Sequence, residues 1–169
     1  SMLDARRLVG KADILFITLD TLRYDVAQEA YLAGLTPNFA KMLPPSGWEK
    51  RHTPASFTYA AHHSFFAGFL PTPARPGPHP RLFAAHFEGS TTVTEETCIF
   101  DEPDIVQGLS RKGYATLCIG GTGFFNKQNP LGSVLPGLFD QSHWDQSLGV
   151  TDARSTENQI KLAIKLLED

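Results

Sequence analysis

Nine residues near the start, "ADILFITLD" (Ala12 to Asp20), constrain this chain more than any other stretch. The run is almost continuously apolar, carries β-branched side chains and ends on an acid. That pattern predicts a strand buried on both faces of a parallel sheet, with its carboxyl end as the place to look for chemistry. The rest of the chain alternates in the same sense. "TPNFAKML" predicts a short helix capped by Thr36, with Pro37 at its first position and Pro44 and Pro45 stopping it. "GWEKRHT" reads as a short strand, and Tyr59 to Phe66 as a helix whose amino end starts at about Thr58. "PTPARPGPHP" (Pro71 to Pro80) is a proline loop, followed by a strand region in "TTVTEETCIF". "EPDIVQGLSRKG" is a helix closed by Gly113, "YATLCIGG" another buried strand, and "GGTGFF" a glycine-rich turn. The chain ends on an amphipathic helix with Ile160, Ala163, Ile164 and Leu167 on one stripe. Alternating strands and helices give an α/β fold class with a mainly parallel sheet flanked by helices, in a single domain over residues 1–169.

Composition narrows the function classes. With 169 residues and 41% apolar content the chain can bury a sizeable core, and a formal net charge of −3 offers no basic face for nucleic acid. Cys98 and Cys118 form no CxxC pair, so neither a zinc knuckle nor a disulfide framework is indicated. The apolar run at Ile14 to Leu19 is too short to span a membrane, and no cleavage site follows it. A cytoplasmic protein is expected.

The chemistry-bearing residues are Asp20, Thr58, His62 and His63. Alone, Asp20 caps a turn and Thr58 caps a helix, because a side-chain oxygen there satisfies free backbone N–H groups. Together they suggest more. A metal-bound threonine alkoxide at a helix amino end would share one local field with an incoming phosphoryl or sulfuryl group. His62, one turn after Thr58, falls on the same face and is a candidate substrate contact, whereas His63 points elsewhere.

At these residues the chain resembles the alkaline phosphatase and sulfatase superfamily, which also holds nucleotide pyrophosphatases, phosphonate hydrolases and phosphoglycerol transferases. "ILFITLDTLRYD" is similar to the superfamily's first strand and Leu-Arg-x-Asp turn, and "LTPNFAKM" to its Thr-Pro-Asn helix. "FTYAAHHSFFAGFLP" is similar to the nucleophile turn and helix. "LSRKGYATLCIG" resembles the Gly-Tyr-x-Thr strand, and "LPGLFD" the Gly-Phe-Asp element. The five segments stand in the family's order.

The resemblance implies an alkaline-phosphatase-like fold in which Asp20 is a metal ligand and Thr58 is the nucleophile, itself touching metal. It implies two divalent cations in the complete site, zinc, manganese or magnesium, and a phosphate-type ester as substrate. The activity expected is that of a metal-dependent hydrolase or transferase. Thr58 stands where sulfatases carry the cysteine that becomes formylglycine, and Thr21 takes the place of their second acid, so sulfatase chemistry is disfavoured. Ala60 and Ala61 replace a polar pair, leaving His62 to substitute for it, and Gly121 and Gly123 replace a lysine and a histidine. The family's later Asp-His-Gly segment and final histidine have no counterpart, which reads as the amino-terminal portion of a longer domain. Two other readings compete. A haloacid-dehalogenase-like phosphatase needs an aspartate where this chain has Thr18. A non-catalytic binding or assembly domain would have kept the sheet and lost the second half of the metal site.

Overall fold

The computed structural model describes residues 4–70, 85–90 and 98–168. The proline loop at 71–80 and the first part of the "TTVTEETCIF" expectation lie outside the described residues. The chain divides into two compact units, one formed by Ser1–Asp13 with Ala55–Asp169 and one by Ile14–Pro54. No helix among the described residues is long and apolar enough to cross a membrane.

The larger unit contains the helices α1 (Ala5–Leu8), α4 (Thr58–Ala67), α5 (Ile105–Arg111), α6 (Pro130–Ser133) and α7 (Ser155–Glu168). Its strands are β1 (Ala85–Phe87), β2 (Cys98–Phe100), β3 (Leu117–Ile119) and β4 (Gln141–His143). They form two parallel pairs, β1 with β2 and β3 with β4, the second in the register Leu117↔Gln141, Cys118↔Ser142 and Ile119↔His143. Parallel pairing requires a crossover, and the segment between β3 and β4 supplies one through short helical turns and α6. The α/β class with parallel pairing is therefore observed.

Helix α4 lies at the centre of this unit. All of its residues except Thr58, Phe65 and Ala67 are buried, so its environment is apolar on every side and no amphipathic stripe is needed. Gly68 ends it in the left-handed conformation at φ 82°, returning its N–H to the Ser64 carbonyl at 3.0 Å. Tyr59 and Phe66 of α4 join Phe87, Val106, Cys118, Phe125, Val134 and Leu135 in one core cluster. The Cys118 thiol is pushed up to about 12 by burial, against the opposing charge of Lys127, and remains protonated.

Helix α5 follows its local signals closely. The buried Asp104 carboxylate accepts from the Gln107 N–H at 2.9 Å as the cap, and Gly113 closes the far end at φ 89°. Its last turn is tied to both strands of the second pair through Asp140. That carboxylate accepts from the Thr116 N–H and hydroxyl, each at 3.0 Å, and from the Ser110 hydroxyl at 3.2 Å. These donors, the Thr116 N–H first, hold the Asp140 carboxyl below its ordinary value of 3.8. A depressed carboxyl contributes stability that is present above the unfolded value and lost as pH falls through the folded one. Asp140→Ala is accordingly expected to lower the melting temperature at pH 7. The gap to the parent protein should narrow as pH falls below the ordinary carboxyl value of 3.8 and the parent's carboxyl protonates, which thermal melts over an acid pH series would check.

The smaller unit holds α2 (Tyr24–Leu32) and α3 (Pro37–Ala40). Gln28 clamps its end, accepting from the Trp48 N–H at 2.8 Å and donating to the Ser46 carbonyl at 3.0 Å, while Phe39 packs on Trp48 at 5.3 Å. Thr36 occupies the cap position of α3 but makes no side-chain cap bond, and the helix stops at Ala40, short of the two prolines.

Four expectations are corrected. Ala12 to Asp20 forms no strand, and every residue of it is exposed, Leu15 by 73%. Among the described residues none of 14–54 is placed in a β-ladder, and apolar composition by itself does not make a strand. For the same reason "GWEKRHT" is irregular. The β3 strand is buried at Cys118 only, because its neighbours Leu117 and Ile119 project to the other face of a two-stranded pair. Helix α7 forms as expected, yet Ile160, Ile164 and Leu167 are exposed. The face that packs carries Gln159, whose side-chain N–H donates to the Leu148 carbonyl and the Ser155 hydroxyl, each at 3.0 Å.

Candidate functional site

Thr58 is the first helical residue of α4 and half-buried, with Phe57 extended in the cap position and supplying no side-chain cap. The helix therefore begins at Thr58, and a cap at the preceding residue is a role that phenylalanine cannot fill. The hydroxyl of Thr58 thus stands at the positive end of a ten-residue helix whose body is anchored in the core. Asp20 lies in the other unit, exposed, in the turn after the Ile14–Leu19 run. The next residue, Thr21, has φ 60°, a conformation β-branched residues rarely adopt, and its hydroxyl donates to the Asp20 carbonyl at 2.7 Å. Arg23 then pairs with Asp25 through two N–H groups at the start of α2, which accounts for the Leu-Arg-x-Asp turn as a local ion pair.

The two histidines are interior residues. His62 donates from Nδ1 to the Thr58 carbonyl at 2.7 Å, and His63 donates from Nδ1 to the Tyr59 carbonyl at 2.8 Å. A carbonyl only accepts, so in both rings Nδ1 carries the proton and Nε2 is the basic nitrogen. The His62 ring is walled by Phe65, Phe66 and Phe125 at centroid distances of 5.3, 5.9 and 5.1 Å. His63, 2% exposed, sits edge-on to Tyr59 at 4.3 Å and stacks on Phe87 at 5.1 Å. Burial first, and the neighbouring His62 second, hold the His63 imidazole below its ordinary value of 6.5, against the Tyr59 carbonyl bond that favours the charge.

The glycine-rich turn after β3 has a packing cause. A side chain at Gly121 would meet the Gln159 amide at 2.2 Å and the Leu148 carbonyl at 3.0 Å, so α7 fills the place where a longer side chain would stand. Gly123 faces open space.

Among the described residues no group of three or more His, Cys, Asp or Glu side chains could hold a metal ion. Asp20 and Thr58 offer one carboxylate and one hydroxyl in different units, whereas a hard cation takes about six oxygen ligands. The pair does not fit a closed metal site on its own. Sequence reasoning placed the start of α4 correctly but missed the aromatic enclosure of its histidines and the buried Tyr59 to Ser90 hydroxyl bond at 2.8 Å. Only the density of phenylalanines around the His-His pair signalled the enclosure, and Ser90 carried no signal at all. No family model matches the chain, and neither a curated protein nor a solved structure does.

Proposed function

We propose that this chain carries the nucleophile-bearing part of a hydrolase or transferase acting on phosphate-type esters, with an alkaline-phosphatase-like fold. One observation supports the reading above the others: Thr58 stands at the amino end of a ten-residue, core-anchored helix, where backbone dipoles favour a developing anion. In this reading Thr58 Oγ attacks phosphorus as the bond to the leaving alkoxide breaks, and the phosphothreonine is then hydrolysed or passed to an acceptor alcohol. Asp20 and Thr58 stand at the superfamily's metal-contacting positions, and each would contact a cation in this reading. The cation, zinc, manganese or magnesium, would supply charge stabilisation and a lowered hydroxyl pKa. His62 keeps Nε2 for an anion contact, its Nδ1 being taken by the Thr58 carbonyl, and that contact requires the Phe65, Phe66 and Phe125 rings around it to part. Thr21, where a second acid would stand, argues against sulfate esters.

With added zinc, manganese or magnesium, turnover of bis(p-nitrophenyl) phosphate or p-nitrophenyl phosphate is expected to fall at least about a thousandfold in Thr58→Ala. Asp20→Ala should behave alike, and mass spectrometry of trapped reactions should place the phosphoryl group on Thr58. Activity that survives both substitutions overturns the assignment. A second reading, a non-catalytic assembly domain, is favoured by the exposed apolar run at Ile14, Leu15, Phe16, Ile17 and Leu19. It requires that Thr58→Ala leave every function of the protein unchanged.

A further inference from the structure

Gly10 and Tyr114 stand 104 residues apart in the chain and meet through one hydroxyl. Tyr114 Oη accepts from the Gly10 N–H at 2.6 Å and donates to the Ala12 carbonyl at 2.8 Å, so it brackets Lys11 from both sides. Tyr114 itself follows Arg111 and Lys112 at the end of α5, with only Gly113 between. This clasp brings Arg6, Arg7 and Lys11 of the α1 segment beside Arg111 and Lys112, in a chain whose net charge is −3. We propose that this face is a docking surface for an anionic lipid leaflet, on which the protein rests peripherally.

Arg7 is already paired with Asp4 at 3.4 Å. Arg6, Lys11, Arg111 and Lys112 are exposed, and among the described residues their side chains make neither an ion pair nor a hydrogen bond. The neighbouring carboxylates are Asp4, Asp13 and Asp140. Asp4 is held by Arg7 and the Arg6 N–H, and Asp140 by Thr116 and Ser110. The carboxyl-end dipole of α5 accounts for Arg111 and Lys112 singly, but not for their meeting the α1 segment. Long cations without fixed partners suit a surface read by charge density, whereas a discrete phosphate ligand needs donors held in a fixed fork. Leu8, 40% exposed and lying between Arg7 and Lys11 in the sequence, supplies an apolar side chain to enter the interface. The surface goes beyond the reading of Thr58 and stands whatever role Thr58 has.

Co-sedimentation with phosphatidylcholine vesicles, with and without phosphatidylserine, at about 0.1 M salt tests it. The parent protein should bind the acidic vesicles and not the neutral ones, and binding should vanish near 1 M salt, where charges act over only about 3 Å. Each cation near an acidic leaflet strengthens partition roughly fivefold, so Arg6→Gln with Lys11→Gln should weaken binding about 25-fold, and Arg111→Gln with Lys112→Gln alike. Arg154→Gln with Lys165→Gln makes the same charge change in the segment that packs at the opposite end of β3, and should leave binding within about twofold. A parent protein that ignores acidic vesicles or binds neutral ones equally overturns the proposal. So does a loss confined to one of the two basic pairs, or one as large in the Arg154 and Lys165 protein. Tighter binding to polyglutamate or to a duplex oligonucleotide than to the vesicles, at equal salt, overturns the assignment to lipid.

Discussion

Gly120→Ala is expected to destabilise the larger unit by about 1–3 kcal/mol, the usual cost of forcing atoms into a filled core. A methyl group at Gly120 would stand 2.2 Å from Cβ and 2.5 Å from Cγ of Phe125. A Cβ atom is fixed to its own backbone, so Phe125 cannot rotate out of the way, and the 3-10 turn Gly123–Phe125 must shift as a whole. That turn holds a buried ring of the core cluster and one wall of the His62 enclosure. Gly123→Ala is the matched control, because nothing lies within 4 Å of the added carbon, and its effect should stay within about 0.5 kcal/mol. Denaturant unfolding of both proteins checks the contrast, and equal midpoints would contradict the packing described.

Leu135→Ala is expected to cost about 2–5 kcal/mol. Leu135 is 0% exposed and lies in the crossover between α6 and the turn Pro136–Leu138, inside the cluster that includes Phe125 and Val134. Truncation removes apolar contact and leaves a cavity whose walls belong to backbone segments held by their own hydrogen bonds, so little collapse is available. A fall in melting temperature of roughly 4–20 °C corresponds to that range for a chain of this size. A change no larger than that of an exposed residue such as Leu167→Ala would place Leu135 outside the core.

Part of the candidate site was legible in advance. The start of α4 at Thr58 could be read because the residues that follow, Tyr59 to Ala67, contain neither glycine nor proline and Gly68 stops them. The same holds for α5, where Asp104 and Gly113 mark both ends by local chemistry. The Asp20 segment was misread because apolar character reports a wish to be buried and not the presence of a neighbouring strand. The two glycines after β3 also carried a second meaning. A missing long side chain at Gly121 is accounted for by the Gln159 amide that occupies the space.

The amino-acid sequence by itself determined the elements whose causes lie within a few residues: the Asp104 cap of α5, the left-handed glycines after α4 and α5, the periodicity of α7, and the parallel α/β class implied by alternation. The tertiary structure alone decided which faces are covered. It turned Ile160 and Ile164 outward and Gln159 inward, closed an aromatic wall around His62 and His63, and left Ala12 to Asp20 exposed. The reason is one of range, since a hydrogen bond to a cap is made by the chain's own neighbours, whereas burial depends on segments far along the chain arriving at the same place.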